Sequence, residues 1–285
     1  MRILITGGAG FVGKHLVNRL IELGDDVVVV DNLISGTKFG LNKKAKFVEM
    51  DVNKLITGNR FRGHFFDTIY HLAAQPRIQP SFHDNGYTLQ NNLTTTIQVL
   101  EYAKIIGANV IYAGSSSCHG GIMNSPYAFS KYTGGQICEL YSKLFNVPTT
   151  IVRFYNAYGP GQIEFGKYAT VIGVFEKAYR ENRPLPITGT GDQRRDFTYI
   201  DDITDALVLL KNKKYYGKIF ELGRGENFSI NEIVEMFKSK KIHLNQRSGE
   251  YPQTLANYEE AYKELGWEPF RNLEDYVKNI LQNKQ

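Results

Sequence analysis

The stretch ILITGGAGFVG, residues 3–13, decides the fold class. A short apolar run that ends at Thr6 passes directly into a G-x-x-G-x-x-G pattern formed by Gly7, Gly10 and Gly13. Glycine at these places permits a tight turn, lets the backbone approach a pyrophosphate and allows the next helix to pack against the strand. A helix that opens with Phe11 and Val12 would direct its free N–H groups at the phosphates. The stretch therefore predicts the first strand, the phosphate loop and the first helix of a dinucleotide-binding domain.

An acidic residue follows at the spacing that such a loop requires. The apolar run 27–31 ends at Asp31, eighteen residues after Gly13, where a carboxylate can accept hydrogen bonds from an adenosine ribose. This carboxylate would repel a 2′-phosphate, and no Arg or Lys lies within the next six residues, so the sequence predicts NAD rather than NADP. Asp51, after the third predicted strand, is either a contact on the adenine side or an ordinary acid at a strand end.

The rest of the N-terminal half alternates between strands and helices. Short β-branched runs at 3–6, 27–31, 46–49, 68–72, 109–113 and 149–153 read as buried strands, with helices near 11–23, 86–106 and 127–146 between them. Strands that are apolar on both faces and alternate with helices indicate a parallel sheet covered on both sides. The predicted fold class is α/β, a doubly wound parallel sheet of the Rossmann type.

Beyond about residue 155 the pattern changes to segments that contain Gly and Pro. A strand-like run at 218–222 is expected to return to the sheet, and helices near 229–240 and 256–265 are expected in a smaller C-terminal substrate-binding domain. We therefore predict an NAD-binding Rossmann domain of residues 1–155 plus about 196–222, and a substrate-binding domain of residues 156–195 and 223–285.

Composition narrows the class of ligand. The chain has 285 residues, with 34 Lys and Arg against 29 Asp and Glu, and the net charge of +5 is spread rather than gathered in blocks. This mild excess suits an anionic small molecule better than nucleic acid. Cys118 and Cys138 cannot form a disulfide framework, and the six histidines form no paired metal motif, so no metal site is predicted. With no signal peptide and no run of 18 apolar residues, we expect a cytoplasmic protein that does not interact with membranes.

Further motifs give the chain a family resemblance. They are NNLTT (91–95), SSS (115–117), SPYAFSK (125–131), RFYNAYGP (153–160), RDFTYIDD (195–202), and RSGE (247–250) followed by LGW (265–267). Together with the glycine loop they cover nearly the whole chain. The sequence resembles the extended short-chain dehydrogenase/reductase family and, within it, the NAD-dependent nucleotide-sugar epimerases and dehydratases, nearest to the 4-epimerases of UDP-glucose and UDP-N-acetylglucosamine.

The resemblance assigns three catalytic residues. Tyr127 resembles the acid/base, Lys131 the residue that holds the nicotinamide ribose and lowers the tyrosine pKa, and Ser115 the hydroxyl between the sugar oxygen and the tyrosine. Tyr127 and Lys131 are four residues apart, so they lie on one face of a helix. A nearby ammonium favours phenolate over phenol, which agrees with this assignment.

The resemblance also implies cofactor and substrate contacts. The further cofactor contacts are Asn32, Ser35, Gly36, Val52, Leu72, Ala73, Ala74, Asn92 and Tyr155. The substrate contacts are Ser116, Ser117, Asn156, Arg195, Arg247, Glu250 and Thr254, besides Ser115. Ser116 and Ser117 are either substrate contacts or polar residues at a strand end. Glu250 stands where the family usually has Asp. Arginine suits a diphosphate because its planar fork offers paired donors.

Two departures from the family concern the sugar pocket. Only twelve residues separate Ser115 from Tyr127, and the family usually has a longer loop here, so the shortened 118–126 segment should leave the pocket more open on one side. Thr254 falls where a large tyrosine restricts some members to unacetylated sugars. We therefore expect the protein to accept UDP-GlcNAc and UDP-GalNAc as well as, or better than, UDP-Glc and UDP-Gal, unless Thr254 only caps a helix.

The sequence leaves three hypotheses about the function of the protein. The leading hypothesis is an isomerase that epimerises C4 of a UDP-sugar through a transient 4-keto intermediate. A dehydratase or reductase of nucleotide sugars is disfavoured, because Ser116 and Ser117 stand where 4,6-dehydratases carry an Asp-Glu pair. A non-catalytic NAD-binding regulator would have lost Tyr127 or Lys131. The resemblance also implies a homodimer that pairs the helices near 86–106 and 127–146.

Overall fold

Parallel strands form the central sheet of the protein, which the computed structural model describes for residues 1–58 and 60–283. The strands are β1 (Arg2–Thr6), β2 (Asp26–Asp31), β3 (Lys46–Glu49), β4 (Thr68–His71), β5 (Asn109–Ser115), β6 (Thr149–Phe154), β7 (Leu185–Thr188), β8 (Arg194–Asp196), β9 (Tyr216–Leu222), β10 (Asn227–Ser229) and β11 (Lys241–Leu244). Seven of them form the central sheet in the order β3-β2-β1-β4-β5-β6-β9. The strand order reverses between β1 and β4, and ligands of such sheets bind beyond the carboxyl ends of the strands at this point.

Helices cover both faces of the sheet. They are α1 (Phe11–Glu22), α2 (Ile78–His83), α3 (Asn85–Ile106), α4 (Pro126–Phe145), α5 (Val171–Arg180), α6 (Ile200–Leu210), α7 (Ile230–Met236), α8 (Glu259–Leu265) and α9 (Leu273–Gln282). On one face, residues of α3 and α4 such as Val99 and Cys138 pack on the sheet. On the other face, Leu16 of α1 and Leu207 of α6 do so. None of the helices in the described part of the chain is long and apolar enough to cross a membrane.

A third apolar cluster lies outside the central sheet. It joins α5, β7, α7 and α9 through residues such as Phe175, Ile187, Phe237 and Val277. Beside it, β7 pairs with β11 and β8 pairs with β10. These elements come from the two crossings of the chain that the sequence assigns to a substrate-binding domain. The boundary itself stays a prediction.

The segment that contains α8 packs on the Rossmann layer. Trp267, the only tryptophan of the chain, is 3% exposed and joins the cluster of α1, α6 and β9. Its indole N–H donates to the carbonyl oxygen of Asp202 at 2.8 Å. The Asp202 carboxylate in turn accepts from the guanidinium of Arg271 at 2.6 Å. These bonds fasten the C-terminal segment to the first turn of α6.

The predicted fold class is confirmed. All six predicted strands of the N-terminal half are present, the run at 218–222 returns to the sheet within β9, and helices occupy the three predicted N-terminal positions. Four helices were not predicted, namely α2, α5, α6 and α9. They are short, between 6 and 11 residues, and a short helix shows too few turns for its apolar period to be distinctive.

Candidate active site

A cavity of about 840 Å³ lies along the carboxyl edge of the central sheet. It extends from the glycine loop, past the carboxyl ends of β4 and β5, to Arg247, Glu250 and Tyr251. Most of the predicted site residues line it: Gly7, Gly10, Phe11, Val12, Gly13, Asp31, Asn32, Ser35, Asp51, Val52, Leu72, Ala73, Ala74, Ser115, Ser116, Ser117, Tyr127, Lys131, Asn156, Arg195, Arg247 and Glu250. The fold thus brings predicted cofactor, catalytic and substrate residues to one cavity.

The glycine loop has the shape that a dinucleotide requires. Gly7 has a φ of +75°, and a Cβ atom there would lie 2.6 Å from the backbone nitrogen of Ala73. A Cβ atom on Gly13 would lie 2.4 Å from the carbonyl oxygen of Gly7. A side chain at Gly7 would collide with the chain that follows β4, and one at Gly13 would push α1 away from the loop, so Gly13 keeps the helix N-terminus close to the cavity. The loop therefore fits the pyrophosphate of NAD.

Asp31 lies at the end of β2 with its carboxylate fixed by the backbone. Its two oxygens accept hydrogen bonds from the N–H of Ala9 at 3.0 Å and of Leu33 at 2.8 Å. Each carboxylate oxygen keeps a lone pair for a ribose hydroxyl. The nearest cation along the chain, Lys38, is committed elsewhere, because its Nζ donates to Glu49 at 2.7 Å. This arrangement fits an unphosphorylated adenosine ribose.

The start of α4 positions Tyr127. The Ser125 hydroxyl caps the helix by accepting from the N–H of Ala128 at 3.0 Å, and the Tyr127 N–H donates to Ser81 at 3.2 Å. Burial raises the pKa of the Tyr127 hydroxyl above 10.0, while the Ser115 hydroxyl and the charge of Arg77 oppose this rise. The expected effect of Lys131 on this pKa stays a prediction.

Lys131 follows one turn later and is 5% exposed. Its Nζ lies 4.3 Å from the centre of the Tyr112 ring, and within residues 1–58 and 60–283 it has no hydrogen-bond acceptor. Burial lowers the pKa of Lys131 from 10.5 to about 7, so the side chain is only partly charged near neutral pH. An unpartnered amine that lines this cavity fits the hydroxyl oxygens of a nicotinamide ribose.

Two arginines gather near one acid at the far end of the cavity. Arg195 stacks on Tyr251, with 4.6 Å from its guanidinium carbon to the ring centre. Burial raises the pKa of Glu250, while the charges of Arg195 and Arg247 lower it, so both arginines lie near this carboxyl group. Asn156, which has a φ of +27°, donates its amide to the carbonyl oxygen of Asp196 at 2.6 Å.

Two residues predicted to contact the cofactor do not line the cavity and pack against the backbone of the site. The side-chain oxygen of Asn92 accepts from the N–H of Gln75 at 2.6 Å, and its amide donates to the carbonyl oxygen of the same residue at 3.2 Å. Asn92 is buried and does not line the cavity. Gly36 packs against Ala9 of the glycine loop, where a Cβ atom would lie 2.9 Å from the Ala9 carbonyl.

Tyr155 and Thr254 also lie outside the cavity wall. Tyr155 is buried and stacks with His119, while Phe154, at the end of β6, lines the cavity. The Thr254 hydroxyl accepts a hydrogen bond from the N–H of Asp196 at 3.2 Å, so the side chain faces the protein interior. The expected role of Thr254 in admitting an acetyl group therefore loses its structural basis.

Tyr251 lies at the side of the cavity that the short loop is expected to open. The loop forms two 3₁₀ turns, Ser116–Gly120 and Ile122–Asn124. Tyr251 packs on Gly120 so closely that a Cβ atom there would lie 2.2 Å from the ring. The aromatic side chain thus packs against the shortened loop and lines the cavity beside it, and the expected opening on this side stays a prediction. This contact could not be predicted from the sequence, since the two residues are far apart in the chain.

Arg77 and Gln75 were also missed by the sequence analysis. Both line the cavity just beyond β4, and both bond to Tyr168, which lines the opposite side. The Gln75 amide donates to the Tyr168 hydroxyl at 2.7 Å, and Nε of Arg77 donates to its carbonyl oxygen at 3.2 Å. The available signal was their place after a buried parallel strand, where ligand-binding residues gather.

Known proteins share both the sequence and the fold. Residues 3–223 match the model of the NAD dependent epimerase/dehydratase family. A UDP-glucuronate 4-epimerase of Thermodesulfobacterium geofontis is 31% identical over 98% of this chain and 94% of its own. The crystal structure of a UDP-glucose 4-epimerase of Thermotoga maritima with UDP-glucose has a TM-score of 0.93 at 29% identity, covering 99% and 98% of the two chains. That of a UDP-glucuronic acid 4-epimerase of Bacillus cereus with UDP-glucuronic acid and NAD has a TM-score of 0.85 at 30% identity, covering 99% and 100%.

Proposed function

The chain belongs to the NAD-dependent epimerase/dehydratase family of extended short-chain dehydrogenases/reductases, and from this premise we propose that it epimerises C4 of a UDP-sugar. The observation that carries the proposal is the convergence of Ser115, Tyr127 and Lys131 on the cavity that the glycine loop and Asp31 also line. NAD is the cofactor of the family, and the glycine loop, Asp31 and Lys131 fit it.

Each catalytic side chain has a role that its surroundings support. Tyr127 removes the proton from the 4-hydroxyl group of the sugar and later returns it, while Ser115 bonds to the same oxygen. The chemistry that NAD supplies when bound is the reversible acceptance of a hydride from C4. Lys131 holds the nicotinamide ribose with its otherwise unpartnered Nζ. A bound acceptor would stabilise the charged form of Lys131 and so favour an ionised Tyr127.

The nucleotide is the fixed part of the substrate in this proposal. Arg195 and Arg247 lie at the end of the cavity away from the glycine loop and offer two planar donor groups to a diphosphate. Glu250, near both arginines, is able to accept from a ribose hydroxyl. Anchoring the nucleotide lets the 4-keto sugar turn between the two hydride transfers without leaving the protein.

The alternatives are weaker on specific grounds. Elimination of water from C5 and C6 needs an acid and a base, and Ser116 and Ser117, which stand where dehydratases have them, do not ionise near neutral pH. A non-catalytic regulator has no need for a buried tyrosine and lysine that line the cofactor cavity. Because Thr254 does not line the cavity, the sugar itself stays open between the neutral, acetylated and carboxylated UDP-hexoses.

A direct assay tests the proposal. The purified protein with NAD is incubated separately with UDP-glucose, UDP-N-acetylglucosamine and UDP-glucuronate, and the products are analysed by NMR and mass spectrometry. The proposal requires a C4 epimer of unchanged mass, with no net formation of NADH. A product lighter by one water would instead identify a dehydratase, and the absence of conversion of all three substrates would contradict the proposal.

Two further properties belong to the proposal. The protein is a homodimer that pairs α3 and α4 with the same helices of a second copy, a pairing that exposed apolar side chains on both helices support. It is also a cytoplasmic protein, which agrees with two free cysteines, Cys118 and Cys138, in the described chain.

A further inference from the structure

Arg77 is placed beside the reacting end of the cavity. It lies in the turn between β4 and α2, and it lines the same cavity as Tyr127. Two contacts fix its place: Nε donates to the carbonyl oxygen of Tyr168, and Ser81 of the adjoining helix α2 accepts from the N–H of Tyr127. The charge of Arg77 is close enough to Tyr127 to influence its ionisation. Arg77 is therefore near the hydroxyl that is proposed to act on C4.

The backbone of Arg77 adopts a conformation that favours glycine. Its φ is +80° and its ψ is 144°, outside the left-handed helical region. Among the described residues other than glycine it has the largest positive φ. Side chains are strained in this region, and such strain is found at functional sites when the surroundings hold it in place. Here Asn92 holds the turn through both backbone groups of Gln75.

The guanidinium of Arg77 has no anionic partner. Within residues 1–58 and 60–283 no carboxylate lies within 4 Å of it, and its two Nη atoms have no hydrogen-bond acceptor. Among these residues Arg195 and Arg247 also form no ion pair within 4 Å, but their charges act on the Glu250 carboxyl group, whereas the charge of Arg77 acts on Tyr127. A half-buried arginine whose planar fork is free, beside the reacting atoms, is suited to bind a carboxylate with two parallel hydrogen bonds.

The geometry of a hexose identifies the anion. C1, which bears the diphosphate, and C4 are opposite corners of the pyranose ring, so a group beside Tyr127 faces C4 and its neighbours C3 and C5. The group on C5 is a hydroxymethyl in a neutral hexose and a carboxylate in a uronic acid. We propose that Arg77 binds the C6 carboxylate of the sugar, and that the preferred substrate is a UDP-hexuronate. This inference rests on the proposed C4 epimerisation.

The test compares UDP-glucuronate with UDP-glucose. Wild-type kcat/KM should be roughly tenfold or more higher for UDP-glucuronate, because the neutral sugar leaves the guanidinium without a partner. Arg77→Gly should lower the ratio of the two kcat/KM values by a similar factor. The same substitution should raise Tm by about 2 °C or more, since glycine adopts the observed φ without strain. A purely structural arginine would show a lower Tm and an unchanged ratio.

Lys238→Gly is the matched control. Lys238 is exposed, has a φ of +50° and lies outside the cavity, so this change also removes one positive charge from a residue with a positive φ. It should leave the substrate ratio at the wild-type value. Arg77→Lys keeps the charge without the fork and should also lower the ratio. This second variant decides the matter if Arg77→Gly folds poorly.

The outcomes separate this inference from the proposed function. If wild type epimerises UDP-glucose with an equal or higher kcat/KM than UDP-glucuronate, the role of Arg77 is refuted while the epimerase proposal stands. If no UDP-sugar is epimerised, the proposed function fails. Calorimetric titration in the Tyr127→Phe background gives a readout without turnover: UDP-glucuronate should bind more tightly than UDP-glucose, and Arg77→Gly should remove the difference. An equal loss of affinity for both sugars would assign Arg77 to the nucleotide instead.

Discussion

The hydroxyl group of Tyr127 carries the proton transfer in the proposed reaction, so its removal is the most direct test at the scale of one residue. Tyr127→Phe keeps the ring and its packing, and we expect kcat to fall by roughly a hundredfold or more while NAD still binds. Tyr132→Phe, one turn later in α4 and outside the main cavity, is the control and should keep full activity. Steady-state rates and an NAD titration measure both effects. Activity of Tyr127→Phe within a few fold of wild type would remove the residue from its role.

We expect Asp31 to determine the choice of cofactor through its charge. Asp31→Asn keeps the size of the side chain and one oxygen acceptor, but it removes the repulsion of a 2′-phosphate. We expect the affinity for NAD to fall about tenfold, the usual scale for a hydrogen bond to a charged group, and the preference over NADP to decrease. Calorimetric titrations with both cofactors provide the measurement. Unchanged affinities for both would contradict the ribose contact.

The site residues that can be identified from the sequence are those that lie close together in the chain. Ser115 and Tyr127 follow a predicted strand and open a predicted helix, and Lys131 is one turn further on, so local structure alone brings them to the sheet edge. The direction of the Thr254 side chain could not be predicted, because it depends on the long-range bond from the Asp196 N–H. Arg77 could not be predicted, because its positive φ and the lack of an anionic partner for its guanidinium are apparent only in the folded structure.

The 3₁₀ turn Ser116–Gly120 is fastened to β9 by a contact between His119 and Glu221, whose side chains are 39% and 17% exposed. Nε2 of His119 lies 2.7 Å from the Glu221 carboxylate, which also accepts from the N–H of Asn257 at 3.0 Å. Arg153, the partner of Glu221 in the β6–β9 register, approaches it to 3.6 Å. This network fixes the turn that carries Ser115 into the cavity. The shortened loop therefore keeps a firm attachment to the sheet.

Acid should weaken this attachment. Burial alone would raise the pKa of Glu221, but hydrogen bonds from His119 and Asn257 hold it down, from 4.5 to about 2. A depressed carboxyl pKa stabilises the fold above pH 4.5, and the contribution is lost as the pH falls from 4.5 towards 2. Glu221→Gln should therefore cost on the order of 3 kcal/mol of unfolding free energy at pH 7. The difference from wild type should shrink below pH 4.5.

Urea unfolding at pH 7, 5, 4 and 3 would measure this dependence. Glu22→Gln, on the exposed side of α1, is the control, and its difference from wild type should stay small at every pH. A difference for Glu221→Gln that is constant with pH would mean that the carboxylate charge does not hold the turn.

Strands and helices with a continuous apolar pattern could be predicted from the sequence. Short strands that form only because they pair with another strand could not. The buried strands contain runs of β-branched apolar residues, such as Val27 to Val30, and such runs favour a buried strand over a helix or a loop. The 22 residues of α3 and the 20 residues of α4 show several turns of helical period. By contrast, β8 and β10 have three residues each, and only their mutual pairing makes them strands.

At the scale of the whole molecule, the outer sides of α3 and α4 are suited to a second copy of the chain. Ile105 and Leu144 are 66% and 67% exposed, and Ile97 and Leu140 are also exposed. Leu144→Glu should convert a dimer into a monomer, because it places a charge in the apolar interface. Light scattering during size-exclusion chromatography measures the mass. Phe270→Glu, at an apolar residue of similar exposure elsewhere, should leave the mass unchanged, and a wild-type monomer would contradict the prediction.

Trp267, whose indole N–H bonds to the Asp202 carbonyl, is an intrinsic fluorescence probe of the protein. All indole fluorescence arises from this one buried ring. Trp267 belongs to the C-terminal segment, packs against the Rossmann layer and does not line the cavity. Release of that segment from α6 would expose the ring to water and shift its emission to longer wavelength, whereas a local change at the sugar would leave the spectrum almost unaltered. Emission spectra can thus follow the undocking of the C-terminal segment in real time, with no introduced dye.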